Sequence, residues 1–341
     1  MATQDTVTEL VAPLLGGNRR ALARVISQVE DETPDSHALL AALFPHTGRS
    51  HIAGITGAPG TGKSTLVNAL ARAFRSQGKT VGIIAVDPTS PFSGGALLGD
   101  RVRMRDLAGD PGVFIRSMAT RGSLGGLARA TGDVISVLDS AGFDLILVET
   151  VGVGQAEIDI AAAAHTTIVV EAPGLGDEVQ AIKAGVLEIA DVFAVNKADR
   201  EGADHTVMAL QMMQGLAPSG RAHHRPSSGA GPAHAAPGAQ PDRSWLPPIV
   251  KTVAVRGEGV APLADWIEQH GEYLSATGQL ARREEARAAN ALDHILRDRL
   301  LAELTRRLPP GHLREIAGGI ARRERDPYSA VDELLAAYGC P

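Results

Sequence analysis

The sequence predicts an α/β fold: a mostly parallel sheet with helices on both faces, preceded by a helical prefix and followed by a helical arm. Three observations predict it. Short continuous apolar runs recur between residues 51 and 254, such as Val81-Gly82-Ile83-Ile84-Ala85-Val86 and Leu145-Ile146-Leu147-Val148, and strands covered on both faces look like this. Segments of helical spacing fill the intervals. Gly57-Ala58-Pro59-Gly60-Thr61-Gly62-Lys63-Ser64-Thr65 joins the first run to the first of those helices and fits the G-x-x-x-x-G-K-[ST] loop of the P-loop NTPase sheet.

Bulk composition narrows the function further. At 341 residues the chain is one large or two ordinary domains. Its 44% hydrophobic content supports a real core, and with aromatics at 3% that core must be aliphatic and alanine-rich. A formal charge of −6 argues against a nucleic-acid partner, which selects a basic face. The single cysteine, Cys340, excludes an internal disulfide framework and a cysteine-based zinc site. No apolar run approaches the ~18 residues of a membrane span, and residues 1–10 lack the charged-then-apolar pattern of a signal peptide. A cytoplasmic location is expected. Lysine occurs only at 63, 79, 183, 197 and 251, as where arginine is the default cation and lysine is kept for a compact ammonium.

Taken in order, residues 7–43 read as helices. Leu10, Val11, Leu14 and Leu15 are apolar, Gly16-Gly17-Asn18 breaks the run, and Leu22, Val25, Ile26 and Val29 resume the period. Asp35 or Ser36 can cap a short helix over Ala38–Phe44. This prefix, residues 1–48, is expected to pack on the main domain, residues 49–276. Strands are expected there at 51–56, 80–86, 112–117, 143–149, 165–171, 191–196 and 249–254, with helices between them, Leu124–Leu138 and Ile182–Ile189 included. Pro, Gly, Ser, Ala and His fill residues 217–244 without apolar period, the composition of a flexible insertion. Residues 277–341 return to helix. Arg282-Arg283-Glu284-Glu285 opens a long one with Ala289, Leu292, Ile295, Leu296, Leu300 and Leu304 on one side. Pro309-Pro310-Gly311 ends it, a second run reaches about Ile320, and Ser329–Tyr338 forms the last. A charged helix with one apolar stripe needs a covering surface, and a second copy of the chain is the expected one.

Ligands on such sheets sit beyond the carboxyl ends of the strands, so polar residues there carry the chemistry. Gly57, Gly60 and Gly62, with Pro59 and Thr61 between them, let backbone N–H groups turn inward round phosphate oxygens at the positive end of a helix. Lys63 is expected to reach the β- and γ-phosphates, and the hydroxyl of Ser64, beside Thr65, to bind Mg2+. Glu149 closes strand 143–149 and can hold Mg2+ directly or through water. Gly152 can offer its N–H to the γ-phosphate, so this segment should move when that phosphate leaves. Asn196-Lys197-Ala198-Asp199 ends strand 191–196 as the N-K-x-D pattern of guanine-specific proteins. Asp199 can accept two hydrogen bonds from guanine N1 and N2; adenine lacks that donor pair, and a carboxylate left unpaired discriminates strongly. The Lys197 stem can lie across the ring. Val253 stands where such proteins usually carry the serine of a Ser-Ala pair that gives a backbone N–H to guanine O6, and Ala254 and Val255 follow it. Asp87 ends a strand facing the site. Asp100 opens a helix, so it either caps that helix or, like Asp87, senses the Mg2+ environment. Gln155 is the candidate for orienting the attacking water. Lys63, Asp100, Glu149 and Gln155 make up the expected catalytic set.

Several segments together resemble one family. They are Val86-Asp87-Pro88-Thr89-Ser90, Gly94-Gly95 with Leu98-Gly99-Asp100-Arg101, Phe114 to Gly122 with Leu124-Gly125-Gly126, and Val148-Glu149-Thr150-Val151-Gly152-Val153-Gly154-Gln155. Gly17 to Arg24 and Asp326-Pro327-Tyr328 add to them. The pattern resembles the MeaB/ArgK/methylmalonic aciduria type A family over most of the chain except 217–244. The resemblance implies a Mg2+-dependent GTPase of the SIMIBI class, homodimeric through its C-terminal helices, that turns GTP into GDP and phosphate slowly unless a partner stimulates it. It implies a client, a B12-dependent acyl-CoA mutase of the methylmalonyl-CoA mutase type, whose adenosylcobalamin delivery the family gates and which it protects or reactivates. By the same resemblance Asp87, Asp100 and Glu149 face Mg2+, and Glu149–Glu157 is the second switch. Gly174–Lys183, with Gly174, Asp177, Glu178, Gln180 and Lys183, is a mobile segment coupling nucleotide state to the mutase. Val253 departs mildly from the family's serine.

Two other readings compete. A nickel-insertion metallochaperone GTPase shares the fold class and needs a His or Cys relay, for which only His223, His224 and His234 of the insertion could serve. A kinase would use the same loop, but the Asn196–Asp199 pattern favours guanine over adenine.

Overall fold

The computed structural model describes residues 4–87, 105–107, 109–119, 126–150, 156–174, 188–216 and 245–338. Seven strands form one sheet: β1 (His51–Thr56), β2 (Val81–Asp87), β3 (Val113–Ala119), β4 (Leu145–Glu149), β5 (Thr166–Glu171), β6 (Val192–Val195) and β7 (Ile249–Lys251). Their order is β3-β2-β4-β1-β5-β6-β7, and every neighbouring pair is parallel. The α/β class is as expected, and all seven strands lie where the apolar runs placed them. The largest shift is at β7, which stops at Lys251 because Val253 pairs back with Glu258 and the chain turns over Ala254–Arg256.

Eleven α-helices flank the sheet or follow it among the described residues: α1 (Gln4–Leu15), α2 (Arg19–Glu30), α3 (Ser36–Leu43), α4 (Lys63–Ser76), α5 (Gly126–Ser140), α6 (Ala156–Ala163), α7 (Ala203–Leu216), α8 (Val260–Ala276), α9 (Gln279–Arg307), α10 (His312–Ala321) and α11 (Pro327–Tyr338). Side-chain alternation along the strands sorts two cores. Ala53, Ile55, Ile83 and Leu147 pack with Leu66, Leu70 and Phe74 of α4 and Leu263 and Ile267 of α8. Ile52, Ile84, Ile146 and Val148 pack with Val25 and Ile26 of α2, Leu39 of α3 and Leu138 of α5. The prefix therefore buries its apolar face on the sheet domain, each fully buried aliphatic side chain contributing about 1.5–3 kcal/mol. Asn18 caps α2 by accepting from the N–H groups of Arg20 and Ala21 at 3.0 and 3.1 Å. α3 starts at Ser36; Asp35 occupies its cap position without a side-chain capping bond.

The chain divides into two compact units, Met1–Arg287 and Ala288–Pro341. The long helix α9 opens at Gln279, three residues before the charged cluster that marked it in the sequence. Two of those charges are anchors. Arg283 donates to both oxygens of Asp191, at 3.0 and 2.8 Å, and Glu284 pairs with His165. This contact belongs to a polar cluster at the amino ends of β1, β5 and β6. His51 Nε2 lies 2.8 Å from Thr166 Oγ1, which lies 2.7 Å from His270 Nδ1, and His270 Nε2 lies 3.4 Å from Asp191. Burial, then the neighbouring His165 and His270, push His51 from 6.5 down to about 3. Burial alone would raise the Asp191 carboxyl, but the Arg283 hydrogen bonds and charge, with His270 and the Thr167 N–H, hold it below the usual range.

In the second unit Ile316, Ala330 and Leu334 are buried, with Leu308 and Ile320 against them, while Leu292, Leu296, Leu300 and Leu301 stay exposed. Among the described residues no helix is long and apolar enough to cross a membrane.

Candidate functional site

The carboxyl ends of β1, β4, β6 and β7 converge on one side of the sheet. The loop after β1 turns through two glycines that no other residue replaces easily. Gly57 has φ +139°, and a Cβ there would collide with the Val170 backbone of β5; Gly62 has φ +93° and sits against the Asn196 amide. Both therefore have a positive φ and no space for a side chain. Pro59 and Gly60 are exposed on the loop, while Thr61 is buried with its hydroxyl donating to Ala58 O at 3.0 Å. α4 begins directly afterwards, so the loop opens at the positive end of a fourteen-residue helix. Lys63 is buried and donates to Gly57 O at 2.8 Å and Ala58 O at 3.1 Å.

Parallel pairing sets Glu149 of β4 beside Ile55 of β1, and Glu149 Oε1 accepts from the Ser64 hydroxyl at 2.6 Å, both groups buried. Thr65 is the next residue of α4. One residue past Glu149, Thr150 donates to the Thr56 hydroxyl at 3.1 Å and its N–H to Ile55 O. This pair ties the start of the 149–157 segment to the strand that carries the loop. The residue types alone did not reveal it.

Asn196 holds the second half together. Its Nδ2 donates to Thr61 O at 2.8 Å, and its Oδ1 accepts from Ala254 N at 3.1 Å and the Thr252 hydroxyl at 3.2 Å. One side chain thus links the phosphate-type loop, the N-K-x-D segment and the end of β7. The Ala254 N–H is engaged by Asn196 in this structure. Lys197 is held at φ +56° and donates to Gly60 O at 2.6 Å, laying its stem between the two loops. Asp199 faces Arg256 at 3.5 Å. Val253 is buried and Val255 is exposed beside this segment.

Asp87 closes β2, and its side chain lies outside the described residues. Asp100, Gly152, Gln155, Asp177, Glu178, Gln180, Lys183 and the insertion 217–244 also lie outside them. Gly174 is exposed with φ +73°. Among the described residues there is no group of three or more His, Cys, Asp or Glu that could hold a metal. The Ser64 hydroxyl and Glu149 carboxylate are hard oxygen donors side by side, a pair that suits Mg2+ rather than a soft or imidazole-seeking ion.

Residues 22–308 match the family model described as Methylmalonyl Co-A mutase-associated GTPase MeaB. A Pyrococcus abyssi protein named as a GTPase is 45% identical over 333 residues, 96% of each chain. The mouse (Mus musculus) protein named methylmalonic aciduria type A homolog, mitochondrial, is 29% identical over 98% of this chain and 80% of its own. A crystal structure of a protein named LAO/AO transport system kinase superposes with a TM-score of 0.70 over 98% of both chains at 24% identity, a likeness of fold.

Proposed function

The chain belongs to the MeaB family of methylmalonyl-CoA-mutase-associated GTPases, and from that premise we propose that it binds and hydrolyses GTP at residues 57–65 to gate adenosylcobalamin delivery to a B12-dependent acyl-CoA mutase, and to protect or reactivate that mutase. The observation that carries the nucleotide reading is the Asn196 bridge. By bonding Thr61 O and Ala254 N it ties the phosphate-type loop to the base-type segment, which supports reading the two as parts of one nucleotide site.

In this reading the N–H groups of Gly60 to Thr65 cradle the phosphates, and Lys63 exchanges its carbonyl partners for phosphate oxygens. Ser64 and Glu149 hold Mg2+, with Asp87 and Asp100 in its surroundings. When bound, Mg2+ neutralises charge on the β- and γ-phosphates. Asp199 reads the guanine edge, Lys197 covers one ring face, and Val253 to Val255 close the pocket. Gly152 senses the γ-phosphate, Gln155 orients water, and residues 174–183 carry the nucleotide state to the mutase. Catalysis in this class is chiefly positioning and charge stabilisation, so hydrolysis by the isolated chain is slow and a bound partner speeds it. The exposed apolar side chains of α9 support a homodimer through the C-terminal helices, and a cytoplasmic location is part of the same proposal.

The experiment is GTP hydrolysis and mutase reactivation measured with and without a methylmalonyl-CoA-mutase-type enzyme. Faster hydrolysis and prolonged mutase activity are expected. No change in either sinks the client assignment and leaves the nucleotide reading intact.

A further inference from the structure

We propose that Arg256 is a positioning residue for base recognition: it fixes the plane of the Asp199 carboxylate so that both oxygens meet a guanine edge. The geometry is built by the turn after β7. Asn196 holds Ala254 N, the 3-10 turn Ala254–Arg256 follows, and Val253 N donates to Glu258 O at 2.9 Å. That reversal brings Glu258 beside Arg256, which donates to it through Nε at 2.7 Å and Nη2 at 3.4 Å. Two of the three guanidinium nitrogens are thereby fixed on Glu258, and the third, Nη1, is aimed at Asp199 Oδ2 at 3.5 Å. The neighbouring lysines are engaged elsewhere: Lys197 on Gly60 O and Lys251 on Asp204.

A carboxylate offers about four lone-pair positions. A guanidinium approaching one oxygen from the side leaves positions on both for a two-point contact. Asp199 is 39% exposed, and without a lateral partner its plane can rotate. Two-point recognition of N1–H and the 2-amino group needs that plane held. Recognition of hypoxanthine, which lacks the 2-amino group, needs one oxygen only. Arg256 should therefore act on the guanine-over-hypoxanthine preference more than on affinity common to both.

This inference rests on the reading of Asp199 as the base-reading acid. The test is titration of fluorescent GDP and IDP against the full chain and its R256A, R256K, E258Q and D199N variants. R256A is expected to lose about fivefold of the GDP-over-IDP preference through weaker GDP binding, with IDP affinity within about twofold of wild type. R256K should restore part of the preference, and E258Q should lower it less than R256A. An unchanged ratio in R256A, or equal loss for both nucleotides, overturns the assignment. D199N should shift preference to xanthosine diphosphate, whose C2 carbonyl matches an amide donor. Failure of that shift overturns base reading by Asp199 and this inference with it. A successful shift with an unchanged R256A ratio overturns the role of Arg256 alone.

Discussion

Replacing Arg283 with methionine tests whether α9 is rooted to the sheet through charge. Asp191 is 3% exposed and takes two Arg283 hydrogen bonds at 3.0 and 2.8 Å plus the Thr167 N–H at 2.8 Å. Removing the guanidinium leaves a buried carboxylate with one backbone donor and His270 at 3.4 Å. Breaking a buried pair in this way costs about 3–5 kcal/mol; the Thr167 N–H that stays on the carboxylate favours the lower end, about 3 kcal/mol. For a unit of this size that is about 6 °C in Tm. Asp191→Asn keeps an acceptor for Thr167 but removes the charge, so the double variant should be little worse than Arg283→Met alone. Urea unfolding of the four proteins in the cycle measures the coupling. If the two single losses add to within about 0.5 kcal/mol, the pair is not a unit and the reasoning fails.

Other outcomes follow from the same geometry. The His51 imidazole, held at about 3 by burial and by His165 and His270, with Lys79 adding to them and Asp191 opposing, must stay neutral in the fold. Stability is therefore complete above about pH 6.5 and falls as pH drops toward 3, by up to about 1.4 kcal/mol per pH unit. Urea midpoints at pH 7, 6 and 5 read the slope, and His51→Asn should flatten it. Asp139 accepts from the N–H groups of Gly48, Arg49 and Ser50 at 2.5, 3.0 and 2.8 Å. Asp139→Ala strands three donors at the entry to β1 and should cost about 3 kcal/mol in thermal unfolding; a loss below about 1 kcal/mol would show that solvent replaces the carboxylate. Leu296→Glu with Leu300→Glu places charge on the exposed stripe of α9 and should convert a dimer to a monomer in light scattering while GDP affinity holds. An unchanged mass removes the stripe from the proposed interface.

The strands and the nucleotide loop were legible because each depends on local signals. A strand buried on both faces must be apolar throughout, as Leu145 to Val148 are, and a loop that passes Gly57 under the Val170 backbone admits only glycine. The amino-end cluster was not legible. His51, His165, Asp191, His270 and Arg283 are spread over more than two hundred positions, and each alone reads as an ordinary polar residue. Only the strand order, which sets β1 beside β5 and β5 beside β6, brings them together. Arg256 escaped for the same reason: its aim at Asp199 depends on the pairing of Val253 with Glu258, and no local pattern encodes that. The cap of α3 escaped for a different one. Asp35 has the right side chain but helical backbone angles, φ −86° and ψ −13°, and a capping residue needs an extended backbone to reach back.

The contacts of the nucleotide loop bear on how it responds to ligand. Lys63 rests on two carbonyls of its own loop, Lys197 on a third, and Ser64 on Glu149. Each is a charged or hydroxyl group on a protein partner that phosphate or Mg2+ can replace. For the lysines, a carbonyl is exchanged for an anionic oxygen, and charge-assisted hydrogen bonds are roughly twice as strong as neutral ones, so the exchange runs toward the bound form without first exposing a bare ammonium. For Ser64 to act as the Mg2+ ligand proposed above, its hydroxyl would have to give up Glu149. Glu149 also begins the 149–157 segment, and Thr150 next to it is fastened to Thr56. The Ser64 and Thr150 hydroxyl contacts thus bracket Glu149, one tying it to α4 and the other tying the next residue to β1.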